Sequence, residues 1–295
     1  MRRSMLMAGL VAASVAVAGC GSSSLSGGGQ PKGGNVSVTV DKNAAAMVPS
    51  SLKKKGTFTV GTDASYAPSE FLAANGSTIE GFDIDLFKAV AQKLGMKATF
   101  QNASFDTIIT GVTGGKYDVG VSSFTVNSER EKQADMVSYF NAGTQWAAQP
   151  SKAAKVNPQK PCGLSVSVQK GTTQLMDDLP SKIKACQKAG KPIRVLVYDK
   201  QDQATAAVVA GKADAMLADS PVVAYAVKQA GGKLKPAGAI YNAAPYGYVI
   251  PKNQGQLGKA FVLALKDLQK SGDYEKILKN WGVQQGAISN FTVNP

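Results

Sequence analysis

Two extended stretches constrain this chain more than any other feature. They are Thr144-Gln145-Trp146-Ala147-Ala148-Gln149-Pro150 and residues 243–251, the core of APYGYVIPK; neither shows a helical period. Between them lies a complete alternation of strands and helices. A first alternation precedes them, and two helices follow. One α/β unit is therefore inserted inside another. That nesting predicts two lobes joined by two strands, with the strand ends of both lobes facing a shared cleft.

In the outer unit, Thr57 to Val60 alternates like a strand and leads into GTDASYAPSEF. Ile84, Phe87, Ala91 and Leu94 fall at helical spacing after Gly81, and Gly95 ends that helix. A strand from Lys97 to Phe100, a helix from Phe105 to about Val112 and a strand from Asp118 to Val121 follow. In the inner unit, strands are predicted at Leu164–Val168, Ile193–Val197 and Ala213–Leu217, with a small-residue helix at Ala204–Ala210. Helices at Gln256–Lys270 and Tyr274–Trp281 finish the body, and a loosely held tail is expected from Gly286. Strand–helix alternation argues for mainly parallel sheets flanked by helices.

In parallel sheets ligands bind beyond the carboxyl ends of the strands. Asp63, Tyr66, Phe105, Ser122, Ser123 and Arg130 fall at such ends. Hydroxyls beside a guanidinium suit a small anion, because arginine takes a carboxylate bidentately. The structural alternative is that the serines cap a helix and Arg130 sits in water. Thr172, Thr173 and Gln174 open the helix after the first inner strand; they either present N–H groups to an anion or cap that helix. Asp219 directly follows a strand and either caps the helix near Pro221 or faces a ligand cation.

Composition narrows the function classes. The 295 residues contain no histidine, which removes Ser-His-Asp and Cys-His catalysis and His-ligated metal sites. The formal charge is +13, but the lysines are dispersed and Lys53-Lys54-Lys55 is only a short run. A nucleic-acid surface is not expected; a solvated face near an anionic membrane or wall accounts for the charge. No cofactor is expected.

Residues 1–20 have the layout of an export signal: Arg2 and Arg3, then an apolar run from Met5, then Val17-Ala18-Gly19-Cys20. That ending matches a bacterial lipobox, so Cys20 is expected to carry lipid; a simple secretory signal or an uncleaved anchor is the alternative. Residues 21–52 begin SSSLSGGGQPKGGN and read as a flexible tether. Val36, Val38 and Val40 alternate within it. The remaining cysteines, Cys162 and Cys186, are expected to pair outside the cytosol, closing a loop of roughly 25 residues that contributes about 3 kcal/mol on the chain-entropy model.

From Gly56 to Trp281 the chain resembles the polar amino-acid substrate-binding proteins of ABC importers, a family that includes the lysine/arginine/ornithine-, histidine- and glutamine-binding proteins. The matching stretches are GTDASYAPSEF, GFDIDLFKAVAQKLG, SFDTIITGV, DVGVSSFTVNSER, QKGTTQ and GKADAMLAD, in the family's order. The resemblance implies a two-lobe, periplasmic-binding-protein-like clamp, α/β in class, with two hinge strands. It places lobe 1 at 53–146 plus 247–285, lobe 2 at 147–246 and a tail at 286–295. It also implies roles. Arg130 would hold the ligand α-carboxylate, helped by the backbone at Thr125 and Thr173. Asp219, with Ser122 or Ser123, would hold the α-ammonium. Tyr66 and Phe105 would sandwich the side-chain stem, and Asp63 and Gln174 would face its polar end. Ser69 and Asp135-Met136-Val137-Ser138 depart from the family's usual residues, which loosens the inference about which amino acid binds.

The expected function is the extracytoplasmic solute-binding component of an importer for a basic or amide amino acid. Its partners would be the free amino acid, a membrane permease and the membrane through the lipid; the protein is expected to be a monomer. A ligand-presenting sensor subunit shares the clamp. An enzyme that dehydrates a small cyclic acid is the third class. Its candidate carboxylates are Glu70 and Glu80, neither of which reads as lying beside the Arg130 stretch.

Overall fold

The structure is a computed structural model and describes residues 36, 38–252, 254 and 256–295. The expected signal segment, Cys20 and the front of the expected tether lie outside the described residues.

The chain starts with two short helices, α1 (Lys42–Ala46) and α2 (Ser50–Lys55). Strand β1 (Thr57–Thr62) leads to a small antiparallel sheet of β2 (Ser65–Tyr66), β3 (Glu70–Leu72) and β4 (Ile79–Glu80). Then come α3 (Phe82–Lys93), β5 (Lys97–Asn102), α4 (Phe105–Thr113), β6 (Val119–Gly120) and α5 (Ser128–Gln133). The long strand β7 (Asp135–Ala148) crosses to the second lobe. That lobe holds α6 (Pro150–Ala153), β8 (Ser165–Gln169), one π-helical turn at Gln174–Asp178, α7 (Leu179–Lys188), β9 (Arg194–Tyr198), α8 (Gln201–Val209), β10 (Ala215–Asp219) and α9 (Ser220–Gln229). The return strand β11 (Lys235–Ile250) precedes α10 (Leu257–Ser271), α11 (Asp273–Asn280) and a short 3-10 turn at Gln284–Gly286.

Strand order is β5-β1-β6-β11-β7-β10-β8-β9. The flanks are parallel: β1 with β5 and β6, and β8 with β9 and β10. Strands β7 and β11 run antiparallel through both lobes. The first end of β7 lies in lobe 1, whereas its last five residues pair with β10 of lobe 2. The β7–β11 ladder breaks register between Ala237 and Tyr241, between Tyr241 and Ala244, and between Tyr246 and Gly247. Bulged pairs bend and twist more readily than regular ladders. These irregularities therefore sit where a clamp needs its hinge.

Each lobe closes on its own apolar core. In lobe 1, Phe58, Phe87, Tyr248 and Phe261 are fully buried and meet edge-to-face. Helix α3 contributes Phe82, Leu86 and Val90 to that core. Its start requires glycine: Gly81 has φ +142, and a Cβ there would lie 2.0 Å from the Ser69 carbonyl oxygen. In lobe 2, Trp146, Val166, Val168 and Leu179 form one layer of the core, and Met216, Val222 and Val223 lie in another cluster. Cys162 and Cys186 are joined as a disulfide beside the first of these.

Two segments differ from expectation. The end of the expected tether is built into lobe 1. Asp41 caps α1 by accepting from the N–H groups of Asn43 and Ala44 at 2.9 and 3.2 Å, and Ala44, Val48 and Leu52 are buried in the lobe 1 core. These three apolar residues are spread over two short helices and the turn between them, a signal masked by the Gly- and Ser-rich run upstream. Val36, Val38 and Val40 form no strand. The tail is also held. The Ser138 N–H donates to the Thr292 carbonyl at 2.9 Å, the Met136 N–H donates to Asn294 Oδ1 at 2.8 Å, and Phe291 is buried. That end of β7 has a free edge, and the tail satisfies its polar groups.

Candidate functional site

The lobe 1 wall is built at the ends of β1 and β6. Beyond β1, the Asp63 N–H donates to Ser122 Oγ at 3.0 Å, which ties the two strand ends together. Beyond β6 the chain turns through Ser123, whose φ of 50° lies in the left-handed region. Asn127 caps α5 by accepting from the Arg130 N–H at 2.9 Å. This cap fixes the first turn, so the Arg130 side chain folds back over the wall. There Nη1 donates to the Thr125 carbonyl at 2.7 Å, and the guanidinium carbon lies 5.5 Å from the ring centres of Phe105 and Phe124. Those two rings stack on one another. Burial lowers the Arg130 guanidinium to about 10, opposed by the charge of Asp219, and leaves it protonated at neutral pH.

The lobe 2 wall comes from the turn after β8 and the end of β10. Thr172 Oγ1 donates to the Gln169 carbonyl and accepts from the Leu175 N–H, so this hydroxyl serves the helix start. Asp219 stands at the N-cap of α9 but its carboxylate makes no capping bond. It turns into the cleft instead, where it accepts from Gln174 Nε2 at 2.7 Å, Tyr246 OH at 2.8 Å and Tyr66 OH at 2.9 Å. Burial raises this carboxyl, while those three donors and the Arg130 charge oppose the rise.

The two walls are in contact. Arg130 Nη2 donates to the Gly171 carbonyl, Gln169 Nε2 to Asp63 Oδ2 at 2.8 Å, and the Gln201 N–H to Ser65 Oγ. Lys170 and Asp106 form an ion pair at 2.8 Å across the rim. Gly171 makes this approach possible: its φ is +76°, and a Cβ there would lie 2.9 Å from the Asp106 Cβ. The clamp is therefore closed.

Between the walls lies a small, tightly drawn cavity. Tyr66, Phe105, Ser123, Thr125 and Arg130 line it from lobe 1. Thr172, Thr173, Gln174 and Asp219 line it from lobe 2. A larger hollow opens between Ala67 and helices α8 and α9, but its lining brings no cation to meet a carboxylate.

Asp63 and Ser122 are not on the cavity surface. The Asp63 carboxylate accepts from the Phe105 N–H at 3.1 Å and from Gln169, and burial raises it. The serine hydroxyls expected beside a ligand ammonium face the other way. Ser122 Oγ donates to Glu70 Oε1 at 2.9 Å, and Ser123 Oγ donates to Asp83 Oδ2 at 3.1 Å. Buried carboxylates demand donors, and these hydroxyls are the nearest ones. Glu70 is thus in direct contact with the Arg130 stretch, contrary to the sequence reading, although behind the wall. Sequence reasoning missed Tyr246, Phe124, Thr144 and the Gln169 side chain. Tyr246 lies in a stretch read only as extended backbone. Gln169 opens the QKGTTQ motif and had a signal in sequence.

Among the described residues no helix is long and apolar enough to cross a membrane, and no cluster of side chains suits a metal ion. Residues 58–284 match the family of bacterial extracellular solute-binding proteins, family 3. An arginine-binding protein of Corynebacterium glutamicum is 36% identical over 250 residues, spanning 84% of this chain and 82% of its own length. Two solved structures share the architecture at 33% identity. An ancestral arginine-binding protein bound to arginine matches with a TM-score of 0.71 over 77% of this chain and 98% of that one. An ancestral amino acid-binding protein, described as a precursor of cyclohexadienyl dehydratase, matches with a TM-score of 0.67 over 78% and 97%. With the family match running from β1 to the last turn of the body, and both walls of the cleft inside it, the chain belongs to the bacterial extracellular solute-binding proteins of family 3.

Proposed function

We propose that this protein captures an amino acid with a cationic side chain, arginine foremost, and delivers it to the permease of an ABC importer. One observation carries the reading: Arg130 and Asp219 come from different lobes and stand on opposite sides of one closed cavity. An amino-acid zwitterion needs one cation for its carboxylate and one anion for its ammonium. Both needs are met only when the cleft shuts, so binding energy stabilises closure.

The preference for a cationic side chain rests on the depth of the cleft. The Asp63 carboxylate lies just behind the wall, and Gln169 Oε1 beside it is a buried acceptor without a hydrogen-bond partner. From behind the wall these acceptors favour a cation in the cavity through their charge and dipole, without touching it. The arginine-binding relatives agree with this direction. The protein is a binder rather than an enzyme on this reading, because Glu70 is buried behind Ser122 and does not line the cavity. A lipid on Cys20 would hold the monomeric body on the outer face of the membrane. That part rests on the Val17-Ala18-Gly19-Cys20 ending of the export signal.

Calorimetry of the mature protein against arginine, lysine, ornithine, histidine and glutamine tests the proposal. Arginine should bind most tightly, and Arg130→Ala should weaken it by roughly 2–5 kcal/mol, the cost of leaving a buried carboxylate unpaired. Binding of none of these, or unchanged affinity in Arg130→Ala, rejects it.

A further inference from the structure

Behind the lobe 1 wall lies a pair of acids that the cavity does not use. Glu70 on β3 and Asp83 in the first turn of α3 are both completely buried. Their carboxyl groups lie close enough to act on one another, and they hold adjacent serines, Ser122 and Ser123. Glu70 Oε2 and Asp83 Oδ1 are buried without a hydrogen-bond partner, and a proton held between them would satisfy both. Ionised carboxylates are acceptors only, so a hydrogen bond between two of them requires a proton on one.

The other two oxygens show which acid holds it. Asp83 Oδ2 accepts from the Ser123 N–H at 2.9 Å, from Ser123 Oγ at 3.1 Å and from Tyr139 OH at 2.6 Å. Glu70 Oε1 accepts from Ser122 Oγ alone. Three donors, together with the start of a helix, favour charge on Asp83. The proton therefore belongs to Glu70.

The pair is attached to the segment that shapes the site. Ser122 hangs on Glu70, and Ser123 hangs on Asp83 through both backbone and side chain. Ser123 needs that grip, because its left-handed backbone is unfavourable for a residue with a side chain. The next residues are Phe124, which flanks Arg130, and Thr125, whose carbonyl holds the guanidinium.

We propose that Glu70 is a positioning residue for ligand capture: as a neutral acid it bridges to Asp83, and the pair locks the Ser122–Thr125 loop that presents Arg130. The titratable groups around the pair are Asp63 at the end of β1, Tyr66 on β2, Tyr139 on β7 and Tyr248 on β11. None of these is a cation able to stabilise a second charge. Burial, and then the Asp83 charge, hold the Glu70 carboxyl well above its ordinary range. A raised acid stabilises at low pH and loses that contribution as pH climbs through its folded-state pKa. Deprotonation of Glu70 thus removes the bridge and leaves two adjacent buried charges.

The test compares the wild type with Glu70→Gln, whose amide can donate to Asp83 and accept from Ser122 at any pH. Infrared spectra of the ligand-free wild type should show a protonated-carboxyl C=O stretch at neutral pH that fades on alkaline titration. Glu70→Gln should lack it. The absence of that band in the wild type overturns the proposal even where the variant fails to fold, and so does its persistence in the variant. Arginine affinity, which rests on the function proposed above, should match in the two proteins at neutral pH. At alkaline pH the wild type alone should lose about tenfold, the expected effect of one charge-assisted hydrogen bond. Titration of the ligand's own amine is common to both proteins and cancels. Parallel affinity profiles reject the positioning role. Should neither protein bind any amino acid, only the ligand assignment fails. The melting temperature against pH then decides: an alkaline fall specific to the wild type supports the pair, and parallel curves reject it.

Discussion

Tyr66 and Asp219, 153 residues apart in sequence, exchange two hydrogen bonds across the cleft. The Tyr66 phenol donates to Asp219 Oδ2 at 2.9 Å, and the Asp219 N–H donates back to the phenol oxygen at 3.2 Å. The pair therefore latches the two lobes and orients the carboxylate assigned to the ligand ammonium. With Gln174 and Tyr246 on the same carboxylate, three side-chain donors leave one lone-pair direction for that ammonium. Tyr66→Phe keeps the aromatic wall and removes the latch. Hydrogen bonds to charged groups contribute about 1.5–3 kcal/mol, so affinity should fall by roughly tenfold or more. Calorimetry on the variant checks this; undiminished affinity would show that the latch adds nothing to closure.

Closure also depends on Gly171, which approaches Asp106 across the rim at a distance and in a conformation that a side chain does not tolerate. Gly171→Ala should leave each lobe intact and hold the clamp ajar. The expected result is a near-normal melting temperature without ligand and affinity weakened by about 1–3 kcal/mol, the usual cost of overpacking a tight contact. Small-angle scattering with saturating ligand should show a smaller contraction than in the wild type. An equal contraction and equal affinity would contradict the assignment of this contact to closure.

Asp219 in the cleft and Asp63 just behind its wall make binding pH-dependent. Burial raises the carboxyls of Asp63 and Asp219 above the ordinary value of 3.8. In the free protein, such raised acids favour the fold at low pH and disfavour it as pH climbs through their folded-state pKa values. A bound ammonium and guanidinium have the opposite preference, because they stabilise the ionised form. Binding should therefore lower both pKa values and release protons. Affinity for arginine should fall as pH drops toward 3.8 from above, and calorimetry in buffers of different ionisation heat should detect proton release. Proton uptake, or affinity that rises on acidification, would contradict the placement of the cationic end near Asp63.

Sequence made the two-lobe plan legible because the extended crossings and the strand–helix alternation are local patterns. The cavity lining was legible for a related reason: Arg130, Thr172 and Asp219 follow strand ends, and strand ends face the cleft. Side-chain direction was not legible. Ser122 and Ser123 stand at the right place, yet their hydroxyls turn toward buried acids on β3 and α3, elements distant in sequence. Tyr246 reaches Asp219 only because β7 and β11 pair in a particular register, which composition does not specify.

The N-terminal helices give the sharpest difference between sequence reading and fold, and a direct test. Leu52 of α2, Val48 of the bend before it and Ala44 of α1 are all buried in the lobe 1 core, where α1 packs against α10. A tether would leave Leu52 in water, and its truncation would then change nothing. In this structure Leu52→Ala removes buried methyl groups and leaves a cavity between α2 and the core. The expected loss is about 2–3 kcal/mol of unfolding free energy, the lower part of the range for buried leucines because Leu52 retains 9% exposure. Affinity should be unchanged, since the segment touches neither wall of the cleft. Urea unfolding of the ligand-free protein measures the first quantity and calorimetry the second. Wild-type stability in Leu52→Ala would mean that residues 41–55 are not part of the folded body.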